Sequence, residues 1–314
     1  MSAERIPVLL DVDTGVDDAL ALGLAVFWPA DLLSVSTLAG NVNAQLTTAN
    51  TLAVLDSIGA SNVPVCRGAS RPLIKPHVAA THVHGDTGLG TAVLPASART
   101  EMREKGPASI VRLARERQGE LILVCVGPLT NLAIALNVEP DLAHWLRKVV
   151  IMGGAYAVAG NVTPHAEFNI YVDPDAAQQV LSAGIPDITL VGLDVSHQTV
   201  LPRTAWETAR RLTSPTAVLV AEVCKQAFQE TSRGGVYLHD PLALAIALDP
   251  RLADCEDMSV RVTLEGEERG RTVTSPGGQH KVARSVDIER FLSRFAESFG
   301  LPVEAMLNPG ENPL

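Results

Sequence analysis

Cysteine is scarce in this chain: four residues in 314, Cys66, Cys125, Cys224 and Cys255, scattered and never paired as C-x-x-C. They sit mostly in apolar stretches such as LILVCVG, where a thiol behaves as a small hydrophobe, so the chain is expected to fold without disulfides in a reducing, cytoplasmic setting. Long apolar runs are missing too. No segment reaches the roughly eighteen unbroken apolar residues of a membrane span, and the opening MSAERIP carries no apolar signal core. A soluble, non-exported protein without a membrane partner is predicted. Positive charge is in deficit, with 25 Lys and Arg against 35 Asp and Glu and a net charge of −10. That balance opposes the counterion release that drives binding to nucleic-acid polymers, whereas a small neutral substrate does not feel it. There is no internal repeat, no low-complexity tract and no linker-like change of composition before the terminal GENPL. A single domain over 1–314 is the simplest partition.

What is present is ample apolar material, 46% of residues, enough for a sizeable core. It is arranged as short runs ending in glycine, proline or polar turns: IPVLLDVD, LLSVSTLAGN, LILVCVG, KVVIMGG and ITLVGLDVS. Each suits a buried strand. Amphipathic stretches of helical length separate them, at 17–28, 44–58, 107–117, 173–183 and 202–211, several opening on Asp, Asn or Pro. Strand and helix in alternation predict an α/β fold, a mostly parallel, Rossmann-like sheet covered on both faces. Late strands are expected at 258–262 and 271–273, and a closing helix at 287–299. The stretch 72–95, rich in Gly, Pro, His and Thr, has no apolar period and reads as a functional or mobile loop. In such sheets ligands sit at the carboxyl ends of the strands, and here DVDTGVDD, AGNVN, VGPLTN and GGAYAVAGNVTPHAEFN all follow apolar runs.

The first of these clusters sets four carboxylates, Asp11, Asp13, Asp17 and Asp18, within eight residues. Asp11 and Asp13 share a side at the end of a strand, Gly15 permits a sharp turn, and Asp17 and Asp18 open a helix. Helical neighbours diverge by about 100°, so Asp17 and Asp18 are not expected to address one point; one would face a metal and the other a substrate. Helix capping accounts for Asp17 or Asp18 but not for Asp11 and Asp13. Converging carboxylates raise one another's pKa unless a cation neutralises them, and a hard divalent ion, Ca²⁺ or Mg²⁺, is the economical answer. An EF-hand loop is excluded, because counting from Asp11 puts Gly15 at five and Leu22 at twelve. The string DVDT also resembles the first motif of the haloacid-dehalogenase-like phosphatases, which makes a phosphotransferase with Asp11 as nucleophile the rival reading.

The longer string DVDTGVDDA resembles the N-terminal signature of the inosine–uridine preferring nucleoside hydrolases. AGNV at 39–42, HVHGDTGLG at 82–90, VGPLTN at 126–131, MGGAY at 152–156, GNVTPHAEFN at 160–169 and LHDP at 238–241 resemble that family's further blocks, in its order. The resemblance implies the nucleoside hydrolase fold and Ca²⁺-dependent hydrolysis of ribonucleosides to ribose and free base. It implies that Asp13, Asp18 and Asp240 hold the Ca²⁺ through carboxylates and Val126 through its carbonyl, with Asp13 also the base that deprotonates a metal-bound water. Asp17, Asn41, Asn161, Glu167 and Asn169 would grip the ribose hydroxyls, His84 would act from a loop at the mouth, and His239 would assist the departing base. Asp11 is taken as orienting the ligands or the turn, and His82 is given no role. The family's dimers or tetramers imply a homodimer or homotetramer. The region 221–237 should face the base, with Phe228 and Tyr237 as stacking candidates. A non-catalytic nucleoside-binding protein is the third reading; it would lack the base or metal carboxylates present here.

Overall fold

The computed structural model describes residues 5–229 and 234–308, so GENPL and part of the 221–237 region lie outside the described residues. Strands form where the apolar runs predict them, at β1 (Ile6–Val12), β2 (Ala30–Thr37), β4 (Ile122–Cys125), β5 (Lys148–Met152) and β6 (Ile188–Val191), and an unpredicted short strand, β3 (Val65–Arg67), falls between β2 and β4 in the chain. Then come β7 (Val200–Pro202), β8 (Gly235–Tyr237), β9 (Ala253–Val262), β10 (Thr272–Pro276) and β11 (His280–Val286). Nine of these described strands make one sheet in the order β10-β9-β11-β6-β5-β4-β1-β2-β3, in which only β9 runs against its neighbours. The fold is thus α/β with a mostly parallel central sheet, as expected.

Alternation along the inner strands feeds two cores. Val8, Leu10 and Val12 of β1 join one apolar cluster and Leu9 the other; Val150 and Met152 of β5 oppose Val149 and Ile151 in the same way. Helices cover both faces, which is why these strands are mostly apolar on both sides. The helix Val16–Phe27 buries eight residues, Asp18 among them, and the Asp18 carboxylate caps it by accepting the Gly15 N–H at 2.8 Å. Asn43 caps Ala44–Ser57, and Asp173 caps Pro174–Leu181.

Three further details differ from expectation. The late strands are longer, β9 and β10, and β11 was not anticipated. Pro202 ends β7 instead of opening a helix, which runs Arg203–Ala209. The loop 72–95 contains a helical turn, Thr81–His84, and is tied down at several points: Leu73 N–H to Asp173 Oδ2 at 2.8 Å, the His77 ring to Gly40 O at 2.8 Å, and Asn50 Nδ2 to Thr87 O at 2.8 Å.

The order 3-2-1-4-5-6 reverses direction of build between β1 and β4. Loops leaving neighbouring strands on opposite faces part there, opening a crevice at their carboxyl ends. Asp13 follows β1, Asn41 follows β2, Val126 follows β4, and the 153–167 segment follows β5.

Candidate active site

The crevice is a cavity of about 390 Å³. Asp17, Asn41, His84, Val126, Asn161, Glu167, Asn169, His239 and Asp240 all line it. Asp13 and Asp18 lie beneath, 1% and 0% exposed. Backbone and amide donors lock this floor: Asn41 N–H donates to Asp13 Oδ2 at 2.7 Å, Asp13 N–H to Asp18 Oδ1 at 3.0 Å, and Asn41 Nδ2 to Asp18 Oδ2 at 3.2 Å. Glycine lets the strand-end loops close upon it, since a Cβ at Gly40 would lie 2.0 Å from Asp13 Oδ2 and one at Gly127 2.7 Å from Asp13 Oδ1.

Oxygens of Asp17, Asp18 and Asp240 lie within 4.8 Å of one another. The expected divergence of Asp17 from Asp18 is therefore corrected: side-chain reach brings both carboxylates to one place. Burial, with the charge of Asp18 second, pushes Asp17 up to about 8. Burial and then the charges of Asp17, Asp18 and Asp13 push Asp240 well up, and burial and then Asp18 do the same to Asp13. Asp13 Oδ1 is buried with no hydrogen-bond partner among the described residues. Crowded carboxylates and an orphaned oxygen suit a hard divalent cation bound through oxygen. The Val126 carbonyl accepts Asn169 Nδ2 at 2.8 Å and keeps a second lone pair for such an ion.

Above the floor, Glu167 caps the turn Phe168–Val172, its carboxylate taking the N–H groups of Asn169 at 2.8 Å and of Gly154 and Ile170 at 3.1 Å. Asn161 Oδ1 accepts the Phe168 N–H at 2.9 Å. The Val16 N–H donates to His84 Nδ1 at 3.1 Å, which turns the loop histidine over the helix start. His239 Nδ1 lies 2.8 Å from Ser196 Oγ, and burial, then the nearby His197 and His84, pushes its pKa down to about 3. A pocket lined by amides, carboxylates and imidazoles, with no Lys or Arg among its described residues, offers both hydrogen-bond donors and acceptors to a polyhydroxylated neutral molecule.

A sequence model described as inosine–uridine preferring nucleoside hydrolase matches residues 8–293. The chain belongs to that family. It is a nucleoside hydrolase, an enzyme that hydrolyses ribonucleosides. It is 36% identical over 305 residues to the pyrimidine-specific ribonucleoside hydrolase RihA of Enterobacter sp. (strain 638), covering 93% of this chain and 97% of that one. An uncharacterized protein of Schizosaccharomyces pombe is 39% identical over 269 residues, 83% of this chain and 86% of its own. Among solved structures, the purine-preferring ribonucleoside hydrolase from Gardnerella vaginalis superposes with a TM-score of 0.88 at 34% identity, over 93% of this chain and 98% of that one.

The rival phosphatase reading falls. In this hydrolase Asp11 is 0% exposed and off the cavity wall, where it accepts the Ser36 hydroxyl and, at 2.7 Å, Asn131 Nδ2. No Lys or Arg among the described residues lines the cavity to grip a phosphate. Phe228 is a core residue, 3% exposed and stacked on Trp206 at 5.1 Å, so its candidacy as a base-stacking group is withdrawn; Tyr237 does line the cavity. His82, given no role from sequence, also lines it, as do Phe168 and Gln226. Ser196, which closes ITLVGLDVS, and His197, which follows it, were overlooked although that apolar run ends in a polar cluster like the others.

Proposed function

We propose that this nucleoside hydrolase uses Ca²⁺ to cleave the N-glycosidic bond, with Asp13 as the base that deprotonates water. The observation that carries this reading is the buried, unpartnered Oδ1 of Asp13 beside the Asp17, Asp18 and Asp240 carboxylates under a cavity walled by amides. Ca²⁺ bound by Asp13, Asp18, Asp240 and the Val126 carbonyl would hold the carboxyls ionised, acidify water and orient ribose hydroxyls.

The bond breaks as the C1′–N electron pair withdraws to the base and positive charge spreads over C1′ and the ring oxygen, a cation resembling an oxocarbenium ion. Carboxylates at the floor stabilise that charge. Asp17, Asn41, Asn161, Glu167 and Asn169 present both donors and acceptors to the sugar hydroxyls. Water adds to C1′ and gives its proton to Asp13. His239 stands where it can hydrogen-bond the departing base, and its lowered pKa makes it a neutral donor rather than an imidazolium. His84, on the turn Thr81–His84, closes the mouth, with 72–95 as the covering loop of one catalytic domain. A homodimer or homotetramer in the cytoplasm completes the proposal; among the described residues no helix is long and apolar enough to cross a membrane.

Incubation with inosine and with uridine, followed by a reducing-sugar assay with and without a chelator, tests this. Sugar release that chelation abolishes and Ca²⁺ restores is expected; full activity in exhaustive chelator overturns the metal role. The relatives named for pyrimidine and purine preference both resemble the chain at similar identity. Comparing kcat/KM across inosine, guanosine, adenosine, uridine and cytidine decides the preference.

A further inference from the structure

We propose that Ser196 is a positioning residue for the reaction, its hydroxyl donating to His239 Nδ1 and so keeping the imidazole proton on Nε2, toward the leaving base. The inference rests on the reading that His239 faces that base, and goes beyond it by naming what sets the tautomer.

Two loops at the carboxyl side of the sheet build the pair. β6 runs into the turn Leu193–Ser196, and the short ribbon of β7 and β8 delivers His239 to the start of the helix His239–Leu248. Leu238 N–H bonds Thr199 O at 2.9 Å, and Thr199 N–H bonds Ser196 O at 3.2 Å, so the two segments are tied within three residues of the contact. Ser196 Oγ then lies 2.8 Å from His239 Nδ1. The imidazole is also flanked by the rings of Tyr237 and His197, with centroids 5.3 and 5.5 Å away, which restricts its rotation.

The direction of this hydrogen bond follows from burial. Ser196 is 0% exposed, and His239 Nδ1 is the only hydrogen-bond partner of its hydroxyl among the described residues. Were Nδ1 to carry the proton and donate, the serine O–H would be left buried without an acceptor, an unsatisfied donor that folding strongly disfavours. With the serine donating, its hydrogen is used and Nδ1 is the acceptor. The remaining ring nitrogen, Nε2, then carries the proton. His239 lines the cavity, so this donor is available to a heterocycle nitrogen or carbonyl oxygen that gains electron density as the C1′–N bond parts.

The test compares nucleosides with p-nitrophenyl β-D-ribofuranoside, whose nitrophenolate leaves without a hydrogen-bond donor. Ser196→Ala is expected to lower kcat on inosine and uridine by about tenfold to a hundredfold, with KM little changed and the nitrophenyl riboside turned over nearly as by the wild type. In the His239→Ala background Ser196→Ala should add nothing. Imidazole ¹⁵N shifts give a readout independent of turnover: His239 protonated on Nε2 in the wild type, with a mixture of tautomers in Ser196→Ala. Equal losses on both substrate classes, no loss on either, or a wild-type imidazole protonated on Nδ1 overturns the inference. If His239→Ala spares the nitrophenyl riboside selectively but Ser196→Ala does not, Ser196 alone is misassigned. If His239→Ala lowers both classes equally, the reading of His239 itself fails.

Discussion

Asp13 sits in a socket that glycine makes possible. A Cβ on Gly40 would lie 2.0 Å from Asp13 Oδ2, closer than atoms can approach, and the atoms it meets all belong to the Asp13 side chain, which the Asn41 N–H holds in place. Gly40→Ala is therefore expected to lower stability by about 1–3 kcal/mol, as overpacking does, and to reduce kcat more than tenfold by displacing the carboxylate; denaturant midpoints and turnover check both. Asp13→Asn separates catalysis from stability in the opposite direction. The amide keeps an acceptor for the Asn41 N–H, now 2.7 Å from Oδ2, but cannot take a proton from water, so kcat should fall by about 10²–10⁴-fold. Burial and Asp18 hold the Asp13 carboxyl well above its usual range, which means its ionised form opposes folding. In chelator the variant should then melt above the wild type near neutral pH. A lower melting temperature in chelator would show that the carboxylate contributes contacts worth more than the repulsion it suffers.

At the level of strands and helices, the sequence was most readable where burial is two-sided. β1, β4, β5 and β6 are mostly apolar runs, and the residues after them, Asp13, Val126 with Gly127, and Gly153 with Gly154, lie at or beneath the cavity. β11, HKVARSV, escaped notice because charged and apolar residues mix along it and several face solvent; β7 and β8, three residues each, are too short to carry a period. Their effect is large nonetheless, since that ribbon brings Tyr237 and His239 to the site. The Asp17 and Asp18 pair was misjudged because ideal helical geometry ignores side-chain reach in the first turn. β11 also opens on His280, buried beside β9: Val260 N–H donates to its Nδ1 at 3.3 Å and its Nε2 lies 3.0 Å from Leu181 O. Burial pushes this histidine below its usual pKa. An unfolded chain takes up a proton there below about pH 6.5, whereas the native protein resists until lower pH. Stability from this group is thus complete above that value and lost as pH falls beneath it. Denaturant midpoints from pH 7.5 to 5 should drop less steeply in His280→Gln than in the wild type; parallel slopes would remove His280 as the cause.

The molecule as a whole carries net charge −10 and concentrates three buried carboxyls and the half-buried Asp17 at the carboxyl end of its sheet. Burial raises all of them, and Asp17 reaches about 8. A carboxyl whose native pKa is raised binds a proton in the folded state over a range where the unfolded chain has released it, so without a cation stability declines as pH climbs from about 4, the ordinary carboxylate value, toward 8. A divalent ion competes with those protons and binds the native arrangement, which the unfolded chain does not offer. The thermal midpoint should therefore rise when Ca²⁺ is added after chelation, and rise more at pH 8 than at pH 5. Asp240→Asn, which removes one carboxylate from the Asp17, Asp18 and Asp240 group, should shrink that Ca²⁺-dependent rise at pH 8, whereas Asp175→Asn, distant in the helix Pro174–Leu181, should leave it intact. A rise that is the same at both pH values, or that survives Asp240→Asn undiminished, would place the stabilising ion somewhere other than the strand-end carboxylates.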